Sequence, residues 1–133
     1  PMDFIAPAVL AAAVAAWVTG FDIIYACQDA DFDAHAGLHS IPARFGIAGG
    51  LRIAAASHAF MLVLLALLPL VASASGFGWV FWAVLAIVSS LVIRQHLLVS
   101  PDDLDRVNQA FFDTNAAISL TLLVVGSVDC LLV

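Results

Sequence analysis

Three aspartates at the end of a long apolar stretch are the residues best suited to chemistry in this sequence. On a continuous α-helix, Asp29 and Asp33 lie at about −20° and +20° from Asp22, so the three carboxylates share one face. Tyr25 borders this face at about −60°. Clustered carboxylates at a membrane boundary repel each other unless a cation holds them. The spacing therefore predicts a hard-cation site, with Asp29 and Asp33 as ligands of Mg²⁺.

Magnesium held by two carboxylates normally keeps waters and shares its coordination with substrate phosphates, so a diphosphate substrate is expected. A solvated acidic loop after a membrane helix is the competing interpretation. It is disfavoured because Asp22 lies inside the apolar stretch, where an unused carboxylate is costly. Asp31 points to the opposite side of the helix and is expected to be merely solvated.

The composition is that of an integral membrane protein. Hydrophobic residues make up 64% of the 133 residues and the mean hydropathy is +1.10, well above the values of soluble domains. The formal charge of −6 and the lack of a basic stripe argue against a nucleic-acid partner. We therefore expect the lipid bilayer to be the main surroundings of the chain.

Four segments are long and apolar enough to cross a bilayer, which predicts an all-α integral membrane helical bundle. They comprise approximately residues 4–28, 51–72, 79–99 and 110–133. All four arginines flank the first and third connections, at Arg44, Arg52, Arg94 and Arg106. The positive-inside rule then places these connections, and the aspartates, on the cytoplasmic side of a multi-pass protein of the inner membrane.

The acidic pattern resembles a known motif. Tyr25-x3-Asp29-x3-Asp33, preceded by Asp22 and followed by the run from Gly37 to Gly46, is similar to the second aspartate-rich motif of the UbiA superfamily of intramembrane aromatic prenyltransferases. The stretch from Ser100 to Asn115 resembles the loop and last-helix entry of that family. The resemblance implies a nine-helix bundle of which this chain forms the last four transmembrane helices.

In that family two aspartate-rich motifs face each other and bind a polyprenyl diphosphate through Mg²⁺. The resemblance implies transfer of the polyprenyl group to an aromatic acid of quinone biosynthesis, such as 4-hydroxybenzoate or a naphthoate, with release of pyrophosphate. This sequence carries only the second motif. It is therefore expected to be the C-terminal part of a longer enzyme, to need the N-terminal half as a partner, and to be inactive alone.

Further polar side chains are candidates for substrate contact. Arg44, just after the acidic helix, is placed to bind a diphosphate oxygen, although a positive-inside anchor explains it equally well. His35 and His39 stand where some family members carry lysines, and both can donate hydrogen bonds to phosphate. Asn115 falls on a polar stripe of the fourth span, where interhelical hydrogen bonding competes with substrate contact.

Two other classes of function remain open at this stage. In a cation transporter or channel segment, the three aspartates would line an ion path. In a non-catalytic membrane subunit, the acidic face would pair with basic residues of a partner. His58, about a turn and a half beyond Arg52 in the second span, is expected to be a buried neutral histidine bonded to a backbone carbonyl.

Overall fold

The computed structural model describes residues 4–72 and 77–132, and side chains are described for all of these except residues 126 and 128–132. The predicted all-α membrane bundle is confirmed. The elements are α1 (Ile5–Ala26), a 3₁₀ turn (Cys27–Asp29), α2 (Ala30–His35), α3 (Ile41–Val71), α4 (Trp79–Leu97), a π turn (Gln109–Asp113) and α5 (Thr114–Leu132).

The first two helices form one apolar rod that packs along α3. The helical run Ile5–His35 is 31 residues long, and α3 has the same length, so each can cross a bilayer. Small residues allow their close approach. A Cβ atom added to Gly50 of α3 would come within 3.5 Å of the Cys27 Sγ atom. The α1–α3 pair is thus the principal helix contact of the bundle.

Helix α3 begins at Ile41, ten residues before the predicted span of 51–72. The Ser40 hydroxyl accepts a hydrogen bond from the Ala43 N–H at 3.2 Å, and Pro42 occupies the first helical turn, where its missing N–H costs nothing. Gly46 then takes a left-handed conformation, with φ 73° and ψ 164°, and kinks the helix. The glycines and proline that suggested a loop therefore lie in two helical segments that meet at a kink.

The last two helices form an antiparallel pair. Helix α4 is 19 residues long and apolar enough to cross a bilayer, and the last segment is helical from Gln109 to Leu132. Helix α5 is entered through the π turn, which widens the backbone spiral by one residue before Thr114. The connection between α4 and this turn is held by paired backbone hydrogen bonds between Ser100 and Asp103.

Among the residues that the structure describes, the buried apolar side chains form two separate clusters. The first cluster, next to the 36–40 and 98–106 connections, comprises Ile23, Ile24, Ala54, Val99, Val107 and Ala110. The second cluster lies deeper along the helices and comprises Ala13, Met61, Val88, Val92 and Ile118. Helices α1 and α3 contribute to both clusters, whereas α4 and α5 contribute only to the second, and the segment between them supplies Val99, Val107 and Ala110 to the first.

Candidate functional site

The acidic residues lie on the outward face of the α1–α2 rod. Its opposite face is buried against α3, through Gly20, Ile23, Ile24, Cys27 and Ala30. Asp22 and Asp29 are exposed, and Asp33 is half-buried. The carboxylates therefore lie on the surface of this four-helix unit, on the side that α3 does not cover.

The helical geometry assumed for the three aspartates is wrong at one point. Residues Cys27–Asp29 form a 3₁₀ turn, and Asp29 itself has φ −102° and ψ 8°, outside the α-helical range. A 3₁₀ turn rotates each residue by about 120° instead of 100°, which adds about 60° between Asp22 and Asp33. Asp29 and Asp33 remain one turn apart, whereas Asp22 is rotated away from the strict alignment that a single α-helix gives.

Tyr25 is the aromatic neighbour of the acidic face. Its ring lies 4.7 Å from the Phe111 ring, centroid to centroid, and 6.3 Å from the Phe112 ring. Phe111 also contacts Phe21, with centroids 5.2 Å apart at an interplanar angle of 80°. The π turn thus brings an aromatic cluster, defined here as Phe21, Tyr25, Phe111 and Phe112, to the edge of the acidic face.

The donor set of Asp29 and Asp33 fits magnesium. Both are hard oxygen ligands one helical turn apart and accessible to solvent. Across the residues that the structure describes, no group of three or more His, Cys or Asp side chains is close enough to hold a metal by itself. Two carboxylates without a third protein ligand suit a cation that keeps waters and takes its remaining oxygens from a substrate.

The connection between α2 and α3 is fixed by backbone hydrogen bonds. Leu38 N–H donates to the Asp33 carbonyl at 2.8 Å and Gly37 N–H donates to the Ala34 carbonyl at 3.4 Å. With Gly37 at φ 70°, this is a Schellman ending of α2. The motif ties the backbone of Asp33 to the start of the loop that carries His39.

His39 and Arg44 line a common groove beside the acidic helix. Its walls are Ala34, Gly37, Leu38, His39, Ala43 and Arg44. The Arg44 guanidinium lies 5.5 Å from the centroid of the Phe45 ring, and both side chains are exposed. His35 faces elsewhere, since its Nδ1 donates to the Asp31 carbonyl at 2.6 Å. The loop therefore brings together His39 and Arg44, two of the predicted substrate-binding residues.

Asn115 is separated from the acidic face. Its amide nitrogen and oxygen are buried and have no hydrogen-bond partner among the described residues, so the expected interhelical hydrogen bond is not formed there. Asn108 and Ser119, which a continuous helix would place on the same polar stripe as Asn115, are exposed. The face of this segment that packs inward is instead formed by Val107, Ala110, Thr114 and Ile118.

His58 is buried and bonded to a backbone carbonyl, as expected. It also belongs to a larger polar contact that the sequence analysis missed. His58 Nε2 lies 3.2 Å from the Trp17 carbonyl oxygen, and its Nδ1 lies 2.9 Å from Nε2 of His96. Gln95, beside His96, is completely buried. In the sequence, this contact was indicated only by the neighbouring polar residues Gln95 and His96 near the end of an apolar span.

The comparisons with known proteins agree on one family. Residues 3–121 match the UbiA prenyltransferase family. A 4-hydroxybenzoate octaprenyltransferase from Chromohalobacter salexigens is 34% identical over 108 residues, which cover 81% of this chain and 35% of that enzyme. No solved structure gives a significant match to the chain. The sequence from the first helix into the last thus identifies the chain as a member of the UbiA prenyltransferase family.

Proposed function

We propose that this chain is the C-terminal part of a membrane polyprenyltransferase, which transfers a polyprenyl group from its diphosphate to an aromatic quinone precursor. The match of residues 3–121 to the UbiA family carries the proposal and favours an enzyme over a transporter segment or a non-catalytic subunit. The relative's printed activity, 4-hydroxybenzoate octaprenyl transfer, supports 4-hydroxybenzoate as the acceptor, with a naphthoate as the alternative.

Asp29 and Asp33 are proposed to hold Mg²⁺ and, through it, the diphosphate. Asp29 is exposed and Asp33 is half-buried on the outward face of α1–α2, so both carboxylates can reach a cation. Across the described residues, no Arg or His side chain forms an ion pair with either of them that would have to be broken first. When bound, magnesium supplies positive charge that stabilises the pyrophosphate leaving group.

The groove that His39 and Arg44 line is proposed to receive the outer oxygens of the diphosphate. The Arg44 guanidinium presents parallel N–H donors, which suit a phosphate, and the His39 imidazole adds a further donor. The Schellman ending of α2 holds this loop at a fixed position relative to Asp33. A rigid segment would therefore connect the metal-binding aspartates to the groove that receives the outer oxygens of the diphosphate.

The reaction follows from this arrangement as an electrophilic aromatic substitution. The allylic C–O bond breaks, its electron pair leaves with pyrophosphate, and a ring carbon of the acceptor forms the new C–C bond and then loses its proton. Tyr25 and the aromatic cluster border the place where the allylic carbon would lie, and they help to exclude water that would capture the cation. Asp22 and Asn115 are proposed to contact substrate farther along the helices.

The acidic face lies on the surface of the four-helix unit, which supports a need for further helices to enclose the substrates. The chain spans about a third of the length of the relative it matches. We propose that an N-terminal half, with the other aspartate-rich motif, covers this face in a nine-helix enzyme. The loops with Arg44 and Arg106 are proposed to face the cytoplasm from the inner membrane, which puts the diphosphate site on the side where charged substrates are dissolved.

The proposal is tested by prenyl transfer in the full-length protein. Membranes that contain it are incubated with radiolabelled polyprenyl diphosphate, 4-hydroxybenzoate and Mg²⁺, and labelled product is extracted. Asp29→Asn and Asp33→Asn should each lower kcat/KM by about 100-fold or more, because each removes a charged ligand of the metal.

Asp31→Asn is the matched control, since it removes an exposed carboxylate from the same short helix without touching the proposed metal ligands. Its turnover should stay within about twofold of the wild type. Normal turnover in both Asp29→Asn and Asp33→Asn would exclude these residues from the mechanism. Failure of the wild-type protein to prenylate either class of aromatic acid would contradict the proposed reaction.

A further inference from the structure

A layer of polar side chains separates the two apolar clusters of the bundle. Residues of the two clusters lie at different depths along the bundle, as Ala54 of the first and Met61 of the second do on α3. Polar groups occupy the positions in between on all four helices. We define the polar layer as Trp17, His58, Gln95, His96, Thr114 and Asn115.

The residues of the polar layer lie at one depth, because each is flanked along the chain by residues of the two apolar clusters. Gln95 lies between Val92 of the second cluster and Val99 of the first, just past the end of α4. Thr114 lies between Ala110 of the first cluster and Ile118 of the second on the antiparallel segment. Similarly, the contact of Phe21 with Phe111 puts Trp17 and Asn115, each one turn deeper, level with each other. The layer therefore crosses the whole bundle.

One part of the layer satisfies its own hydrogen bonds. The Trp17 carbonyl can only accept, so His58 Nε2 must carry a proton and donate to it. In a neutral imidazole the other nitrogen then accepts, and His58 Nδ1 receives the Nε2–H of His96. This chain of two hydrogen bonds joins α1, α3 and α4.

The other part of the layer has no such partners. Both amide atoms of Gln95 and the hydroxyl of Thr114 are buried and unbonded among the described residues, and both side chains are fully inaccessible. The Asn115 amide atoms and the Trp17 Nε1–H are also buried and unbonded among the described residues, although both residues as a whole are only half-buried. Unbonded polar groups are costly in a bilayer, because the lipid chains offer no alternative donors or acceptors.

The chemistry of these groups specifies what they bind. They offer donors and acceptors together, so a partner must both donate and accept. Arg94 and Asp113, the charged neighbours of Gln95 and Thr114 in sequence, are exposed, which leaves the layer without charge to balance an ion. Full burial of Gln95 and Thr114 limits the partner to a very small neutral molecule.

We propose that the polar layer is a binding site for internal water, with at least one molecule bridging the Gln95 amide and the Thr114 hydroxyl. Water both donates and accepts, and a buried molecule typically makes about three hydrogen bonds. The site is distinct from the acidic face, since Asp29 is several turns away along the α1–α2 rod. The proposal does not depend on the proposed reaction.

Solid-state NMR of the full-length protein in lipid tests the site. Glutamine side chains are labelled with ¹⁵N, the Gln95 signal is identified by its loss in Gln95→Met, and magnetisation transfer from water to its side-chain amide is measured. We expect clear transfer in the wild type, and at least about a twofold reduction in Thr114→Val, which removes one of the groups that hold the bridging molecule.

Thr121→Val is the matched control, because Thr121 lies seven residues along the same helix and its hydroxyl already donates to the Ala117 carbonyl at 2.7 Å. It should leave the Gln95 transfer unchanged. Thr114→Ser, which keeps the hydroxyl, should also keep it. Absence of water transfer to Gln95 in the folded wild type would overturn the proposal, whatever the variants do. An equal reduction in Thr114→Val and Thr121→Val would also contradict it.

Discussion

Replacing Gly20 by alanine tests whether the His58 contact determines how closely α1 and α3 pack. A Cβ atom at this position would overlap the His58 ring, lying 2.9 Å from Cε1 and nearer still to Cδ2 and Nε2. The imidazole cannot yield without leaving the Trp17 carbonyl and His96, to which it is bonded on both sides. Gly20→Ala should therefore either displace the ring or separate the two helices.

The expected cost combines three effects. Overpacking of a close contact costs about 1–3 kcal/mol, and loss of the hydrogen bond to the Trp17 carbonyl adds about 0.5–1.5 kcal/mol. The higher helix propensity of alanine offsets about 1 kcal/mol. We expect the free energy of unfolding to fall by about 0.5–3.5 kcal/mol, measured by equilibrium unfolding of the full-length protein in mixed detergent micelles.

A double-mutant cycle with His58→Ala isolates the contact. Once the imidazole is removed, the alanine methyl group at position 20 has room, so Gly20→Ala should become neutral or stabilising in that background. The coupling energy between the two sites should then be about 1–3 kcal/mol. If Gly20→Ala destabilised both backgrounds equally, the steric explanation would be refuted and the effect would belong to the backbone of α1.

The remaining predictions concern the loop between α2 and α3. Gly37→Ala places a Cβ atom on a residue at φ 70°, where the Schellman ending favours glycine, and should lower the free energy of unfolding by about 1 kcal/mol. The same unfolding measurement checks this value, and an unchanged free energy would show that the loop can relax. Arg44→Ala should raise the KM for polyprenyl diphosphate by about tenfold, with a smaller effect on the KM for the aromatic acid. Arg52 is also exposed but lies beyond the Gly46 kink, so Arg52→Ala should change neither KM. Equal effects of the two arginine variants would indicate a general charge effect at the membrane surface.

Long apolar stretches were sufficient to predict the helical membrane fold, because a bilayer accepts few alternatives to spanning helices. They did not locate the start of α3. Glycines at positions 46, 49 and 50 and the proline at 42 are typical of a loop in water, but here Ser40 caps the helix and the proline lies in its first turn. Only the backbone shows that Gly46 is a kink between two helical segments, with no loop directly before residue 51.

The acidic pattern identified the residues of the candidate site but not their exact directions. Counting at 100° per residue assumes an unbroken α-helix. The chain instead forms a 3₁₀ turn at Cys27–Asp29, where Cys27 and Ala30 are buried against α3. Similarly, the π turn before Thr114 changes which residues of the last segment face inward. Both irregularities depend on packing between helices that are distant in sequence, which local periodicity does not contain.

The hydrogen bonds of His58 also have a mechanical consequence. Helices whose side chains are apolar on all faces can shift along their axes in lipid with little change in hydrophobic contact. Moving α3 by one turn, about 5.4 Å, would pull the imidazole from the Trp17 carbonyl and from His96 together, and would push it into purely hydrocarbon surroundings. A single side chain thereby sets the axial register of three helices, which keeps the loops at one end level with each other.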